Sequence, residues 1–292
     1  MYIDGVFSGG GIKGFALIGA YQAIEEQGIR FVRVAGTSAG SILAAFIAAG
    51  YTSNEVFNIM ESIDLKFFLD ERKTLIPSKI MKWLTIYWKM GLYKGENLEN
   101  WLHEKLKAKG VTTFADLKKG ALRVIASDLT YGKMIVLPDD LAIYDINPEN
   151  FSVARAVRMS CSLPYFFEPV RLKSKGGISM VVDGGVLSNF PIWLFDQTPK
   201  KRPVLGVKLS AREEERPKHK ISNAFEMFGA LFETMKDAHD ARHIATKHER
   251  NIVFIPVENA LSTEFHLTEE KKKELIQLGK SRTEQFFRRW SY

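Results

Sequence analysis

The sequence predicts an α/β fold in which a central, mostly parallel sheet is flanked by helices. Three stretches carry that expectation. A short apolar strand runs into a glycine-rich loop and then a helix. A G-x-S-x-G turn joins a second apolar strand to an apolar helix, and a later strand ends in Asp183-Gly184-Gly185. Strand, loop, helix and strand in immediate succession form a β-α-β unit, whose crossover leaves the two strands parallel with the helix on one face. With 292 residues, 46% of them hydrophobic and 26% charged, the chain can bury a large core. No internal repeat or low-complexity linker divides it, so a single domain over residues 1–292 is expected.

Val6-Phe7-Ser8 closes the first strand, and Gly9-Gly10-Gly11-Ile12-Lys13-Gly14 follows it. Ala16, Ala20, Ala23 and Ile24 then mark one apolar face of a helix over about 15–27, which Gly28 ends in the position favoured by glycine. Phe31 to Ala35 reads as the second strand, and Ser41 to Ala49 as the helix beyond the serine turn. From Thr52 to about Gly110 the patterns are mostly helical. Ala121–Asp128 and Lys133–Leu137 read as strands joined by a turn at Thr130-Tyr131-Gly132, and Ser152–Met159 as a helix. Ile178–Val182 and Val204–Leu209 are strands. Ser210–Lys220, with three successive glutamates and Pro217, reads as an exposed loop. A helix over 223–248, a strand over 252–257 and a helix over 268–290 complete the expectation.

Composition narrows the function. Cys161 is the only cysteine, so no internal disulfide framework exists and a reducing compartment is expected. The N-terminus lacks a basic stretch before an apolar run, and the longest apolar run stops at Gly50, short for a bilayer span. These features point to a cytoplasmic chain without signal peptide or transmembrane segment. The net charge of +7 favours anionic partners. No zinc finger or other nucleic-acid signature accompanies it, which leaves an anionic membrane surface as the better match and no nucleic-acid partner.

The chemistry rests on a serine. In a strand-to-helix G-x-S-x-G turn, Gly36 and Gly40 permit a sharp elbow that presents Ser38, with the helix N-terminus aimed at a developing oxyanion. A serine hydroxyl needs a base. Of the six histidines, five lie in charged helical or loop stretches, and only His266 trails a strand as a triad candidate. His239 and His243 share a helical face but lack a third ligand, so no metal or cofactor is expected. Asp183 is better placed, at the C-terminal end of an apolar strand where α/β folds gather their sites. As an Asp-Gly pair it reads equally as a simple turn. The Gly9–Gly14 loop formally matches a dinucleotide fingerprint, but the second strand ends in Ala35 rather than in the ribose-binding acid. Three glycines in a row instead bare the backbone N–H groups that an oxyanion hole requires.

The ordered set Gly9-Gly10-Gly11-Ile12-Lys13-Gly14, Gly36-Thr37-Ser38-Ala39-Gly40 and Asp183-Gly184-Gly185 resembles the patatin-like phospholipases. The resemblance extends to Ile125–Leu129, Ala154–Ser160 and Leu187–Pro191, covers about residues 3–210, and has a weaker echo near 261–275. It implies a patatin-like three-layer fold and a lipid acyl hydrolase, of phospholipase A or lysophospholipase type, that works through an acyl-enzyme. By the same resemblance Ser38 is the nucleophile, Asp183 its base, and Gly9, Gly10 and Gly11 the oxyanion hole with Lys13 nearby. Partial burial is expected to raise the pKa of Asp183. Two other readings remain open: an acyltransferase using the same acyl-enzyme, and a non-catalytic basic lipid-binding protein. For membrane contact, Trp83, Tyr87 and Trp88 interleave with lysines over 76–94. That stretch reads as an interfacial docking helix or as a helix packed on the core.

Overall fold

The computed structural model describes residues 1–72, 86–196, 202–210, 221–222, 224–243, 249–257 and 267–290. The sheet is built first from parallel strands. β1 (Tyr2–Phe7) lies between β2 (Arg30–Thr37) and β9 (Val204–Lys208), and β10 (Ile252–Phe254) adds to the far side of β9. β1 is buried at every position but its first, which suits a run of Ile, Val and Phe covered on both faces. Helix α1 (Phe15–Glu26) makes the crossover from β1 to β2, as the β-α-β pattern predicts. α2 (Ala39–Ala48) leaves directly from the end of β2 and packs on it.

α1 also packs against the last helix, α7 (Glu269–Phe287), with almost no separation. A Cβ added at Gly19 would lie 1.8 Å from the Ile276 carbonyl oxygen, and one at Gly279 would lie 1.8 Å from that of Ala16. The two glycines face each other's helix backbone, so the C-terminal helix is seated by shape as well as by the apolar Ile276.

Beyond β2 the sheet turns mixed. β4 (Leu122–Asp128) pairs parallel with β2 through Val34↔Leu122 to Thr37↔Ile125, and antiparallel with β5 (Lys133–Leu137) along its other edge. Past Ile125 the first edge of β4 passes to a different strand. β8 (Gly177–Asp183) runs antiparallel to it through Ala126↔Asp183 to Asp128↔Val181, and β7 (Val170–Ser174) pairs with β8. β2 and β8 therefore approach end to end along one edge of β4. Thr37 pairs with Ile125 and Asp183 with the next residue, Ala126. This register decides the site.

Three differences from the sequence reading have simple causes. β3 (Gly91–Tyr93) sits where mostly helical patterns were expected and pairs with β6 (Tyr165–Phe167), a strand too short to show a period. β7 carries a legible alternation, with Val170 and Leu172 inward and Arg171 and Lys173 outward, that the sequence reading passed over. β2 runs two residues beyond Ala35, because Gly36 and Thr37 continue the ladder to Val124 and Ile125. The other helices are α3 (Ser53–Glu61), α4 (Glu96–Lys107), α5 (Val153–Ser160) and α6 (Ala224–His243). Residues 211–220 of the expected loop lie outside the described residues.

Candidate active site

Ser38 closes β2 and caps α2 with φ 52° and ψ −127°, a left-handed backbone that a non-glycine residue adopts only under constraint. The constraint comes from its flanking glycines. A Cβ at Gly36 would lie 2.4 Å from the Gly40 carbonyl oxygen, and one at Gly40 would lie 2.3 Å from that of Phe7. Only glycines let strand and helix close this tightly. The elbow is held further by polar contacts. The Ser38 N–H donates to Ser160 Oγ at 2.8 Å, and Ser41 Oγ donates to the Ser38 carbonyl at 2.6 Å.

Asp183 arrives from the opposite direction. Its N–H donates to the Ser162 carbonyl at 2.9 Å, and its Oδ1 accepts the Gly185 N–H at 2.7 Å. Gly184 lies so close to β4 that a Cβ there would be 2.2 Å from the Ile125 carbonyl oxygen. The Ser38 hydroxyl lies close enough to the carboxylate to favour its ionised form. Asp183 is only 3% exposed. Burial pushes its pKa up from 3.8 to about 6, against the smaller opposing pulls of the Gly185 N–H, the Ser38 hydroxyl and the Lys236 ammonium. Asp183 does sit in an Asp-Gly turn, and that turn places its carboxylate in the same cavity lining as Ser38.

The pair opens onto an apolar cavity walled by side chains such as Phe15, Ile42, Phe46, Met60, Trp101 and Phe167. Its polar lining is sparse: Ser38, Asp183, Asn189, Lys236 and the backbone of Gly10 and Gly11. The three loop glycines separate in role. The Gly9 N–H donates to the Asn189 carbonyl at 3.1 Å, so it is spent on the fold and is corrected out of the expected oxyanion donors. Gly10 and Gly11 line the cavity, Gly11 with φ 55°, and among the described residues their N–H groups donate to no acceptor. Lys13 is buried and engages Glu233 of α6 at 3.2 Å, so its charge binds α6 to the glycine loop.

The sequence reading missed several residues that support this arrangement. Ser160 holds the elbow amide. Ser162 anchors Asp183 and receives the Arg158 guanidinium. Arg158 is buried, and it also donates to the carbonyls of Gly95 at 2.8 Å, Lys94 at 2.6 Å and Glu168 at 3.0 Å. It thereby ties the turn after β3 and the end of β6 to the Asp183 anchor. Burial keeps its pKa below the usual arginine range. Among the described residues Asn189 Oδ1 is buried without a partner beside Gly9 and Gly185. Ser160, Ser162 and Arg158 lie in or beside a stretch that already carried the family resemblance, but an amphipathic helix pattern does not reveal such contacts. Lys236 had no sequence signal beyond its place on a long helix.

Of the expected membrane contacts, Tyr87 and Trp88 lie on a helical turn, 86–89, with 76% and 69% of their surface exposed. Trp83 lies outside the described residues, as do His219, His248, His266 and the side chain of His243. The remaining stretch of 76–94 is not one helix, because Gly91–Tyr93 form β3. Among the described residues no group of three metal-ligating side chains occurs, and no helix is long and apolar enough to cross a membrane.

Comparison with known proteins agrees with this architecture. The family model described as patatin-like phospholipase matches residues 5–196. The chain is 63% identical over its full length, and the full length of the relative, to the uncharacterized protein YqhO of Bacillus subtilis. It is 26% identical over 193 residues, 64% of this chain and 61% of the relative, to a protein of Invertebrate iridescent virus 6 named "probable lipid hydrolase 463L". In fold it is similar to VipD of Legionella pneumophila, with TM-score 0.57 at 18% identity over 99% of this chain and 67% of that one. ExoU of Pseudomonas aeruginosa, solved with SpcU, gives TM-score 0.56 at 18% identity over 100% of this chain and 53% of that one. The chain belongs to the patatin-like phospholipase family of lipid hydrolases.

Proposed function

We propose that the chain is a serine lipid acyl hydrolase that releases fatty acids from membrane lipids with Ser38 and Asp183 as its catalytic pair. The observation that carries this reading is that the strained Ser38 and the buried Asp183 line one otherwise apolar cavity together, with the Ser38 hydroxyl near enough to the carboxylate to favour its ionised form. The cavity suits an acyl chain, and the pair suits its ester.

In this reading Ser38 Oγ attacks the ester carbonyl carbon as its proton passes to Asp183. The carbonyl oxygen becomes an oxyanion held by the Gly10 and Gly11 N–H groups at the start of the loop. Collapse breaks the ester C–O bond, the proton on Asp183 goes to the departing alcohol, and an acyl-Ser38 remains. Water then gives a proton to Asp183 and attacks the acyl carbon, and the fatty acid leaves as the proton returns to Ser38. A carboxylate with a pKa of about 6 is a stronger base than an ordinary one, yet still ionised near neutral pH. No histidine is required.

Peripheral membrane binding completes the reading. Tyr87 and Trp88 stack edge to face at 5.3 Å on the surface, just before the strand that pairs with cavity-lining β6. On α6 the exposed Met227, Leu231 and Met235 recur every four residues, on the helix that also lends Phe232 and Lys236 to the cavity. With a net charge of +7, both patches suit an anionic lipid surface.

An active-site fluorophosphonate tests the catalytic reading directly. The wild type is expected to label and to hydrolyse a soluble short-chain ester, while Ser38→Ala does neither. Equal labelling of both proteins would refute Ser38 as nucleophile.

A further inference from the structure

From the geometry of α6 we propose that Lys236 is the substrate-phosphate recognition residue, which makes a phosphate-bearing glycerolipid the preferred substrate over a neutral acylglycerol. The proposal rests on the serine hydrolase reading of Ser38 and Asp183.

Lys236 is the only cationic side chain among the described residues that lines the cavity. It is half-buried, and its stem lies beside Gly185, where a Cβ would sit 3.7 Å from Lys236 Cδ. That places it next to the turn that aims Asp183. Its Nζ is 5.5 Å from the Phe232 ring centroid, on the cavity side of α6. The other charges nearby are engaged elsewhere. Glu233 meets Lys13 at 3.2 Å, and Asp240 forms a buried pair with Lys208 while accepting the Phe190 N–H at 2.9 Å. These two anchors hold α6 against the glycine loop and β9, and so fix the position of Lys236. Among the described residues no carboxylate lies within ion-pair distance of it; burial lowers its pKa, and Glu233, Asp183 and Asp240 favour its charged form through space.

The chemistry of the reaction adds a reason. As Asp183 accepts the Ser38 proton it becomes neutral, and its attraction for Lys236 disappears. An anionic group held by Lys236 is therefore bound more strongly as the tetrahedral intermediate forms, which favours turnover and not only binding. In a glycerophospholipid the phosphate lies a short glycerol bridge from the scissile ester, within reach of a cation beside the pair. A neutral acylglycerol offers nothing there.

The test compares a lysophospholipid and a monoacylglycerol of the same chain length in the same detergent micelles, for wild type, Lys236→Met and Lys236→Arg. The readout is the ratio of kcat/KM on the two substrates, which is independent of the fraction of protein that folds. The ratio is expected to fall at least about tenfold in Lys236→Met, the effect of losing a charge-assisted hydrogen bond, and to be largely kept in Lys236→Arg. An unchanged ratio in Lys236→Met overturns the proposal, because a lysine that serves only Asp183 or the fold lowers both substrates alike. Inorganic phosphate provides a second arm. If it inhibits the wild type on the neutral ester but not Lys236→Met, while the substrate ratio stays constant, Lys236 serves a free anion and the headgroup assignment fails. Fluorophosphonate labelling keeps the two readings apart. If the wild type labels at Ser38 and the ratio is unchanged, only the phosphate proposal falls. If the wild type does not label, the catalytic reading falls first.

Discussion

Asp183→Asn keeps the shape of the side chain and an acceptor for the Gly185 N–H at 2.7 Å, but removes the charge. Burial raises the carboxyl from 3.8 to about 6. At 1.36 kcal/mol per pH unit, that shift of roughly two units makes the buried ionised form costly by about 3 kcal/mol. The sign follows from proton binding. The folded pKa lies above the unfolded one, so the stabilisation by the bound proton is complete below pH 3.8 and is lost as pH rises through about 6. At pH 8 the wild type bears the full penalty, whereas asparagine never ionises. Part of the gain is offset in the variant, because the Lys236 ammonium loses an attractive neighbour. Asp183→Asn is therefore expected to match the wild type in stability near pH 4 and to exceed it by about 1–3 kcal/mol near pH 8. Urea unfolding across that range measures the difference. Hydrolysis of a short-chain ester by the same samples should fall by about 10²–10⁴, the usual contribution of a general base. Wild-type activity should itself decline as pH drops through about 6. The reasoning is refuted by a stability difference that does not grow with pH, or by a wild-type profile flat between about pH 5 and 9.

Two further outcomes test the frame around the pair. Arg158→Met leaves the carbonyls of Gly95, Lys94 and Glu168 without their buried donor. It is expected to cost about 2–5 kcal/mol in urea unfolding, because each buried carbonyl left without a donor costs about 1–3 kcal/mol, and a loss under about 1 kcal/mol would show that these contacts are replaced by water. Tyr87→Ser with Trp88→Ser removes two exposed rings worth about 1.5–3 kcal/mol each when fully inserted in lipid. Binding to vesicles with anionic lipid should weaken at least about tenfold while turnover of a soluble ester changes far less, and equal losses would return the rings to a structural role.

The sequence by itself determined the local devices of this protein. A strand running into Gly9–Gly14, the elbow at Ser38 and the strand ending at Asp183 are each written within a few neighbouring residues, because backbone turns, glycine requirements and apolar periods are short-range effects. The mostly parallel core and its crossover helix followed from the order of those pieces. The shape of the glycine loop was also legible, but the division of labour within it was not. Gly9 loses its N–H to the Asn189 carbonyl, a partner 180 residues away in the chain.

Tertiary structure decided how the pieces meet. No spacing in the sequence reveals that β4 changes partner after Ile125, yet that switch sets the ends of β2 and β8 against each other and brings Ser38 to Asp183. The β3–β6 pairing escaped for the same reason, since three-residue strands take their stability from partners and not from their own pattern. The pKa of Asp183 and the placement of Lys236 depend on burial and on ion pairs between distant segments, such as Lys13 with Glu233 and Lys208 with Asp240. Electrostatics reads separation in space, and only the folded chain defines it.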